Sequence, residues 1–137
     1  MNAISYKKDA KLNLDEVIEL YDASTLGERR PLHNRDVMQG MIDNASLIIT
    51  AWDEAKLVGI ARTLTDFCNV AYLADLAVHS DYQRQGIGRE LIKQTRDALN
   101  PTCSIVLLSA PKANDYYPKV GFKSNPRGWT MEPKKKP

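Results

Sequence analysis

The spacing of apolar side chains changes several times along the chain, and each change marks an element. Residues 3–8, AISYKK, predict a first strand. From Leu14 the period becomes helical, with Leu14, Val17, Ile18 and Tyr21 on one face. Asn13 precedes them and Glu16 follows it by three residues, a start resembling a capping box. GERRP, 27–31, breaks this helix. Asn34 then caps a second one striped by Val37, Met38, Met41 and Ile42. The stretch SLIITAWDEAKLVGIARTL reads as a hairpin, with strands at 46–52 and 56–65 and DEAK at the turn. VAYLADLAV, 70–78, is almost unbroken apolar sequence, as expected of a strand covered on both faces.

Helical spacing returns after residue 86. Ile87, Leu91, Ile92, Thr95, Ala98 and Leu99 line one face, while Arg89, Glu90, Lys93, Arg96 and Asp97 cover the other. Asn100 and Pro101 end the helix. CSIVLLSA, 103–110, predicts another buried strand. PKANDYYPKVG predicts a short helix with Pro111 near its start and Pro118 near its end. FKSN and GWTME predict a closing hairpin, with Trp129, like Trp52, packing as a strand residue. No repeat and no linker divides this α/β pattern. One domain over 1–137 is expected, its last residues, 134–137, forming a basic tail through Lys134 to Lys136.

Composition narrows the partners. At 137 residues the chain can bury a core without staples, and its 43% hydrophobic and 26% charged content is that of an ordinary globular protein. The formal charge of +2 owes part of its size to the tail, so no nucleic-acid partner is expected. No run approaches the ~18 apolar residues of a membrane span, and MNAISYKKDAK lacks the apolar segment of a secretory signal. Cys68 and Cys103 form no CxxC pair, which suits a reduced, cytoplasmic protein. Cys103 opens an apolar run and is expected in the core. Cys68 lies in the turn TDFCN, with no base near it in sequence.

The chemistry concentrates in DYQRQGIGREL, 81–91. A helix start offers unpaired backbone N–H groups and the positive end of the macrodipole. Gly86 removes a side chain where a ligand would approach, Gly88 permits close helix–sheet packing, and Arg84 and Arg89 add charge. Such a site suits phosphate or pyrophosphate. From spacing alone, a glycine-relieved turn that binds nothing stays open. A Walker loop is absent. So is the third glycine of a Rossmann fingerprint, whose place Leu91 takes; the region where that fold needs an acid is the apolar SIVLLS.

Gln83-Arg84-Gln85-Gly86-Ile87-Gly88 resembles the Q/R-x-x-G-x-G/A motif of the GCN5-related N-acetyltransferases (GNAT), and YYPKVGF, 116–122, resembles their FYxKxGF. The element order matches over nearly the whole chain. The resemblance implies a mixed, mostly antiparallel central sheet with helices on both faces and a splayed central strand pair. It implies acetyl-CoA as cosubstrate and no metal. Gln83, Arg84, Gln85, Gly86, Ile87, Gly88 and Arg89 would hold the pyrophosphate, and Leu76, Ala77 and Val78 would pair with the pantetheine arm. Tyr117 matches the family's general acid, and Tyr116 its aromatic packing position. Many relatives carry a glutamate base where Ala74 stands here, leaving Asp75 or a water relay to take the proton. Ala110 replaces a common CoA-contacting asparagine, and Asn114 does not obviously substitute. His33 reads as an exposed loop residue, and His79 as part of the turn after the strand. The implied function is acetyl transfer to a primary amine of a small molecule. A protein or peptide acceptor, or a CoA-binding sensor without turnover, are the alternatives. The resemblance also leaves room for a homodimer.

Overall fold

The computed structural model describes residues 3–134. Five strands form one sheet in the order β1 (Ile4–Lys8), β2 (Leu47–Asp53), β3 (Lys56–Thr65), β4 (Val70–Val78), β5 (Ser104–Val106). Neighbours are antiparallel up to β4, and β5 joins β4 in parallel. Two helices lie between β1 and β2, α1 (Leu14–Ala23) and α2 (Arg35–Asp43); α3 (Ile87–Asp97) makes the crossover from β4 to β5. The α/β class and the mostly antiparallel sheet are therefore as expected.

Local chemistry sets the helix ends. The Asn13 side chain accepts from the N–H of Asp15, and that of Asn34 from the N–H of Val37. GERRP ends α1 through a 3-10 turn, Thr25–Arg29, capped by the Ser24 hydroxyl. The apolar stripes fix the layers. Ile87, Leu91 and Ile92 of α3 pack with Leu47, Ile49, Ala61 and Leu73 on one face of the sheet. Val17, Leu20, Tyr21 and Met38 of α1 and α2 pack with Ile48, Ile60 and Ala77 on the other. Each Val, Leu, Ile and Met side chain among these contributes about 1.5–3 kcal/mol by leaving water. Cys103 is buried, as expected, and Cys68 is exposed between β3 and β4.

Three expectations in the C-terminal third need correction. The strand predicted over 103–110 shortens to Ser104–Val106 and is not buried: Val106 is 47% and Leu108 61% exposed. An apolar run signals burial only where elements cover both faces; here Ile105 and Leu107 pack toward the α3 side, and nothing among the described residues covers the face of Val106 and Leu108. The short helix resolves into two 3-10 turns, Pro111–Ala113 and Tyr117–Val120, with Pro118 opening the second rather than closing a single helix. No closing hairpin forms among the described residues. The segment after Gly121 carries no strand, and Trp129 is 92% exposed instead of packed. Of the basic tail, residues 135–137 lie outside the described residues.

The short β5 leaves an opening beside β4. It pairs with Val70, Ala71 and Tyr72 only. From Leu73 to Val78, β4 continues without it, so the two strands splay.

Candidate active site

A bulge in β4 decides which side chains face this opening. Arg62 of β3 lies opposite Asp75, but the next residue, Thr63, lies opposite Leu73, so Ala74 has no partner. One extra residue reverses the alternation of faces. Before it, Ala71 and Leu73 pack on the α3 side; after it, Leu76 and Val78 do, and Ala77 joins the α1–α2 side.

The strand end meets the start of α3. The turn between them holds Arg84 and Gly86 at positive φ, 65° and 83°. The first helical bond runs from the Glu90 N–H to the Gly86 carbonyl at 3.0 Å. The N–H groups of Ile87, Gly88 and Arg89 therefore precede any intrahelical acceptor, and no side chain caps them. A Cβ built on Gly86 would meet no atom within 4 Å, so this space is open to a ligand. Gly88 has a different role from the one expected. A Cβ there would fall 2.8 Å from the Tyr116 hydroxyl, so its bareness makes room for that ring. Close approach of α3 to the sheet depends instead on Gly59 in β3, where a Cβ would lie 3.1 Å from both Ile87 Cγ2 and Leu91 Cδ1. The sequence reading missed Gly59; its signal was a lone glycine inside an apolar strand.

The turn is braced from several sides. His79 Nδ1 accepts from the Asp81 N–H, the Tyr82 hydroxyl donates to Asp53 at 2.6 Å, and Gln83 Nε2 donates to the Val78 carbonyl at 3.1 Å. His79 thus has the turn role expected of it.

These elements enclose a cleft of about 440 Å³. Leu76, Ala77 and Val78 line it from β4, as do Gln83, Arg84 and Gly86 through Arg89 from the turn and α3. Gln85, also expected there, is exposed and does not line it. Tyr116 and Tyr117 form the opposite wall, and Ser24, Thr25 and Leu26 complete it from the turn after α1. That last contribution carried no sequence signal. Tyr117 is partly buried, edge-on to both Tyr116 and Phe122. Burial, and secondarily Tyr116, push its phenol above the ordinary tyrosine range. The proton therefore stays on at neutral pH, available for donation.

Some sequence candidates stand elsewhere. His33 is exposed and outside the cleft. Asn114 bonds with the Ser109 hydroxyl, and neither it nor Ala110 lines the cleft. A larger groove, about 700 Å³, lies along α3 between Arg89, Lys93, Arg96 and the 119–123 segment. It contains neither Tyr117 nor the β4 end, and Arg96 is bound to the carbonyls of Asn100 and Cys103.

Asp75 is bound on both carboxylate oxygens. Arg30 Nε donates to Oδ1 at 2.7 Å; Arg62 Nε, at 2.5 Å, and the Tyr21 hydroxyl, at 2.6 Å, donate to Oδ2. Its side chain is fully buried. Burial pushes its pKa upward, but the Arg62 bond and charge, with Tyr21 and Arg30, outweigh that and hold it below the usual carboxylate range. Arg30 also donates to the Ala74 carbonyl at 2.8 Å, fastening the turn after α1 to the bulge. The cluster lies on the α1 side of β4. Sequence reasoning did not join Arg62 to Asp75, although an arginine and an aspartate within two apolar strands were the available signal.

Comparison with known proteins gives the chemistry its family. The family description "acetyltransferase (GNAT) domain" matches residues 19–128. The chain belongs to the GNAT acetyltransferases. Among relatives in this family, an uncharacterised N-acetyltransferase, ycf52 of Pyropia yezoensis, is 32% identical over 88% of this chain and 74% of its own. The solved GNAT protein SP0256 of Streptococcus pneumoniae TIGR4 superposes with a TM-score of 0.76 at 26% identity, covering 96% of this chain and all, 100%, of that one. The fold is also that of an aminoglycoside N-acetyltransferase, AAC(6')-Iy, solved in complex with CoA, with a TM-score of 0.73, 15% identity and coverage of 97% and 96%. The protein is thus a GNAT N-acetyltransferase, and the GNAT family uses acetyl-CoA as donor.

Proposed function

We propose that this acetyltransferase moves the acetyl group of acetyl-CoA onto the primary amine of a small molecule, by direct attack in a ternary complex. One observation carries the reading: the uncapped start of α3, the part of β4 beyond its last β5 partner, and the Tyr117 phenol meet in one cleft. The α3 amides suit a pyrophosphate. The Leu76–Val78 backbone suits the two amides of pantetheine, because strand groups without a neighbouring strand need hydrogen-bond partners. Arg84 and Arg89 add positive charge at the same end. The solved likeness to an aminoglycoside acetyltransferase is compatible with a small acceptor.

The protons follow from the same geometry. An alkyl amine of pKa near 10.4 is only about 0.04% neutral at pH 7, an equilibrium cost of roughly 4.6 kcal/mol. Asp75, ion-paired on the far side of the bulge, does not accept that proton; water in the cleft carries it away. As the amine nitrogen bonds to the acetyl carbon and the carbon–sulfur bond breaks, Tyr117 gives its proton to the departing sulfur, and the proton that the nitrogen sheds on becoming an amide restores the phenol through water in the cleft. A backbone N–H near Val78 stabilises the carbonyl oxygen. We place the reaction in the cytoplasm, where an exposed thiol such as Cys68 remains reduced. Among the described residues no helix is long and apolar enough to cross a membrane.

Thermal melts with acetyl-CoA, then a thiol-release screen over polyamines, arylalkylamines, amino acids, aminoglycosides and lysine peptides, test this reading. Stabilisation of about 2.7 kcal/mol at 100 times the dissociation constant is expected, with turnover on a free amine. No melting shift at millimolar acetyl-CoA overturns the donor assignment. Turnover confined to peptides overturns the acceptor class, and binding without any turnover replaces the enzyme by a sensor.

A further inference from the structure

Tyr21 and Tyr82 donate their hydroxyls to the carboxylates of Asp75 and Asp53. Tyr116 is placed differently. Its half-buried ring packs with the core on the α3 side and stands edge-on to Tyr117, with 5.3 Å between ring centroids. A phenylalanine would make both contacts. The Tyr116 hydroxyl itself bonds to no atom of the described residues, whereas a tyrosine hydroxyl taken out of water ordinarily finds a partner.

Its position says what that partner is. A Cβ built on Gly88 would lie 2.8 Å from the Tyr116 oxygen, 3.7 Å from its Cζ and 3.8 Å from Val78 Cγ2. The ring alone would clear such a Cβ at ordinary contact distance; the oxygen would not. Gly88 is therefore bare for the sake of the hydroxyl, which stands at the second residue of α3 beside the end of β4. The uncapped N–H groups of Ile87, Gly88 and Arg89 belong to the same turn. Burial holds the phenol above the ordinary tyrosine range against the opposing charge of Arg89, so it keeps its proton at neutral pH. A protonated phenol, free amides and a guanidinium are all donors, and donors that converge call for one acceptor with several lone pairs.

We infer that the Tyr116 hydroxyl donates to a phosphate oxygen of the acetyl-CoA diphosphate, beside the α3 amides, which makes Tyr116 a binding residue for the donor in addition to a packing one. The inference rests on the donor reading above and is independent of the acceptor. A bond from a phenol to an ionised oxygen is about twice as strong as one between neutral groups. The pair Gly88 and Tyr116 then acts as a unit: one residue gives up its side chain, and the other fills the space with a single directed donor. Tyr117, its neighbour in the chain, keeps its own proton for the sulfur at the other end of the same ligand.

Calorimetric titration of the full chain with CoA tests this. Tyr116→Phe keeps the ring, so the melting temperature without ligand should not change, while the dissociation constant of CoA should rise about 10-fold or more. Inorganic pyrophosphate at millimolar concentration, used as a competitor of CoA, should lose affinity for the variant by a similar factor. Gly88→Ala should weaken CoA binding in the wild-type background, where its methyl displaces the hydroxyl, and add little in the Tyr116→Phe background, where only the ring faces it. Equal CoA affinity in Tyr116→Phe and wild type overturns the inference and returns Tyr116 to packing alone. So does pyrophosphate that competes equally well on both proteins, or on neither. Each of these outcomes leaves the donor reading standing; a wild type without affinity for CoA overturns that reading and this inference with it.

Discussion

Replacing Asp75 by Asn separates a structural carboxylate from a catalytic one. The change keeps the side chain's shape and removes its charge. Arg62, only 9% exposed at its side chain, is then left charged, buried and without its carboxylate; Arg30, 24% exposed, can turn toward water. Removing one partner of a buried pair costs about 3–5 kcal/mol, most of it from the stranded charge. A domain of this length has roughly 7–20 kcal/mol of stability in total. The variant should therefore fold but melt about 10–25 °C lower, taking a shift of roughly 3–5 °C per kcal/mol for this size. Thermal melts give the first number, and thiol release by the folded variant at low temperature gives the second. A general base would show the reverse pattern: little change in melting and a loss of about 10²–10⁴-fold in kcat. We expect less than about a 10-fold loss. Unchanged melting with a hundred-fold slower turnover would refute the assignment.

The same carboxylate gives a pH signature whose sign is fixed. Its folded pKa is depressed, so its stabilisation is present in full above the unfolded value of about 3.9 and is lost as pH falls through the folded pKa. Wild type should lose stability below about pH 4, and Asp75→Asn should lose less of its smaller total over that interval.

Tyr117→Phe keeps the ring and removes the proton donor; kcat should fall roughly 10 to 100-fold with the acetyl-CoA melting shift retained, and full activity where chemistry limits turnover would remove the acid role. Gly86→Val puts a branched side chain at φ +83° beside the open α3 amides, so a weakened acetyl-CoA melting shift is expected with the fold largely kept. Gly59→Val would press on Ile87, Leu91 and Ala51 from 3.1–3.2 Å, costing about 1–3 kcal/mol and lifting the cleft end of α3; both melting temperature and acetyl-CoA affinity should drop.

What could be read in advance followed the strength of local signals. The three helices, the β2–β3 hairpin and β4 are each announced by period and caps that agree with their tertiary burial. The uncapped turn into α3 was legible because Gly86 adopts a left-handed conformation and offers no side chain to cap the helix. The C-terminal third was not legible. CSIVLLSA and GWTME have strand-like composition, but a strand also needs a neighbour, and composition does not name one. Gly59 escaped notice because its role is a distance between a strand and a helix far apart in sequence. Ser24, Thr25 and Leu26 reach the cleft from a turn that Arg30 fastens to β4, a contact between segments far apart in sequence.

The bulge at Ala74 ties these points together. With unbroken alternation, Asp75 would share the α3 side with Ala71 and Leu73. The extra residue turns it instead toward Tyr21 and sends Leu76 and Val78 to the cleft. An acid next to the reacting end of the strand in sequence is thereby bound up with Tyr21, Arg62 and Arg30 and does not line the cleft. Its charge is not idle there. Held between Arg62 and Arg30, it anchors the turn that carries Ser24 to Leu26 along the cleft, and on the function proposed above its effect on turnover passes through that turn and not through a proton. Arg30→Gln should isolate this path, because Arg62 and Tyr21 remain on Asp75 and Arg30 is the more exposed of the two arginines. Its expected outcome is a raised KM for the amine with kcat and acetyl-CoA binding nearly unchanged; equal KM values in variant and wild type would mean that the turn is held in place without it.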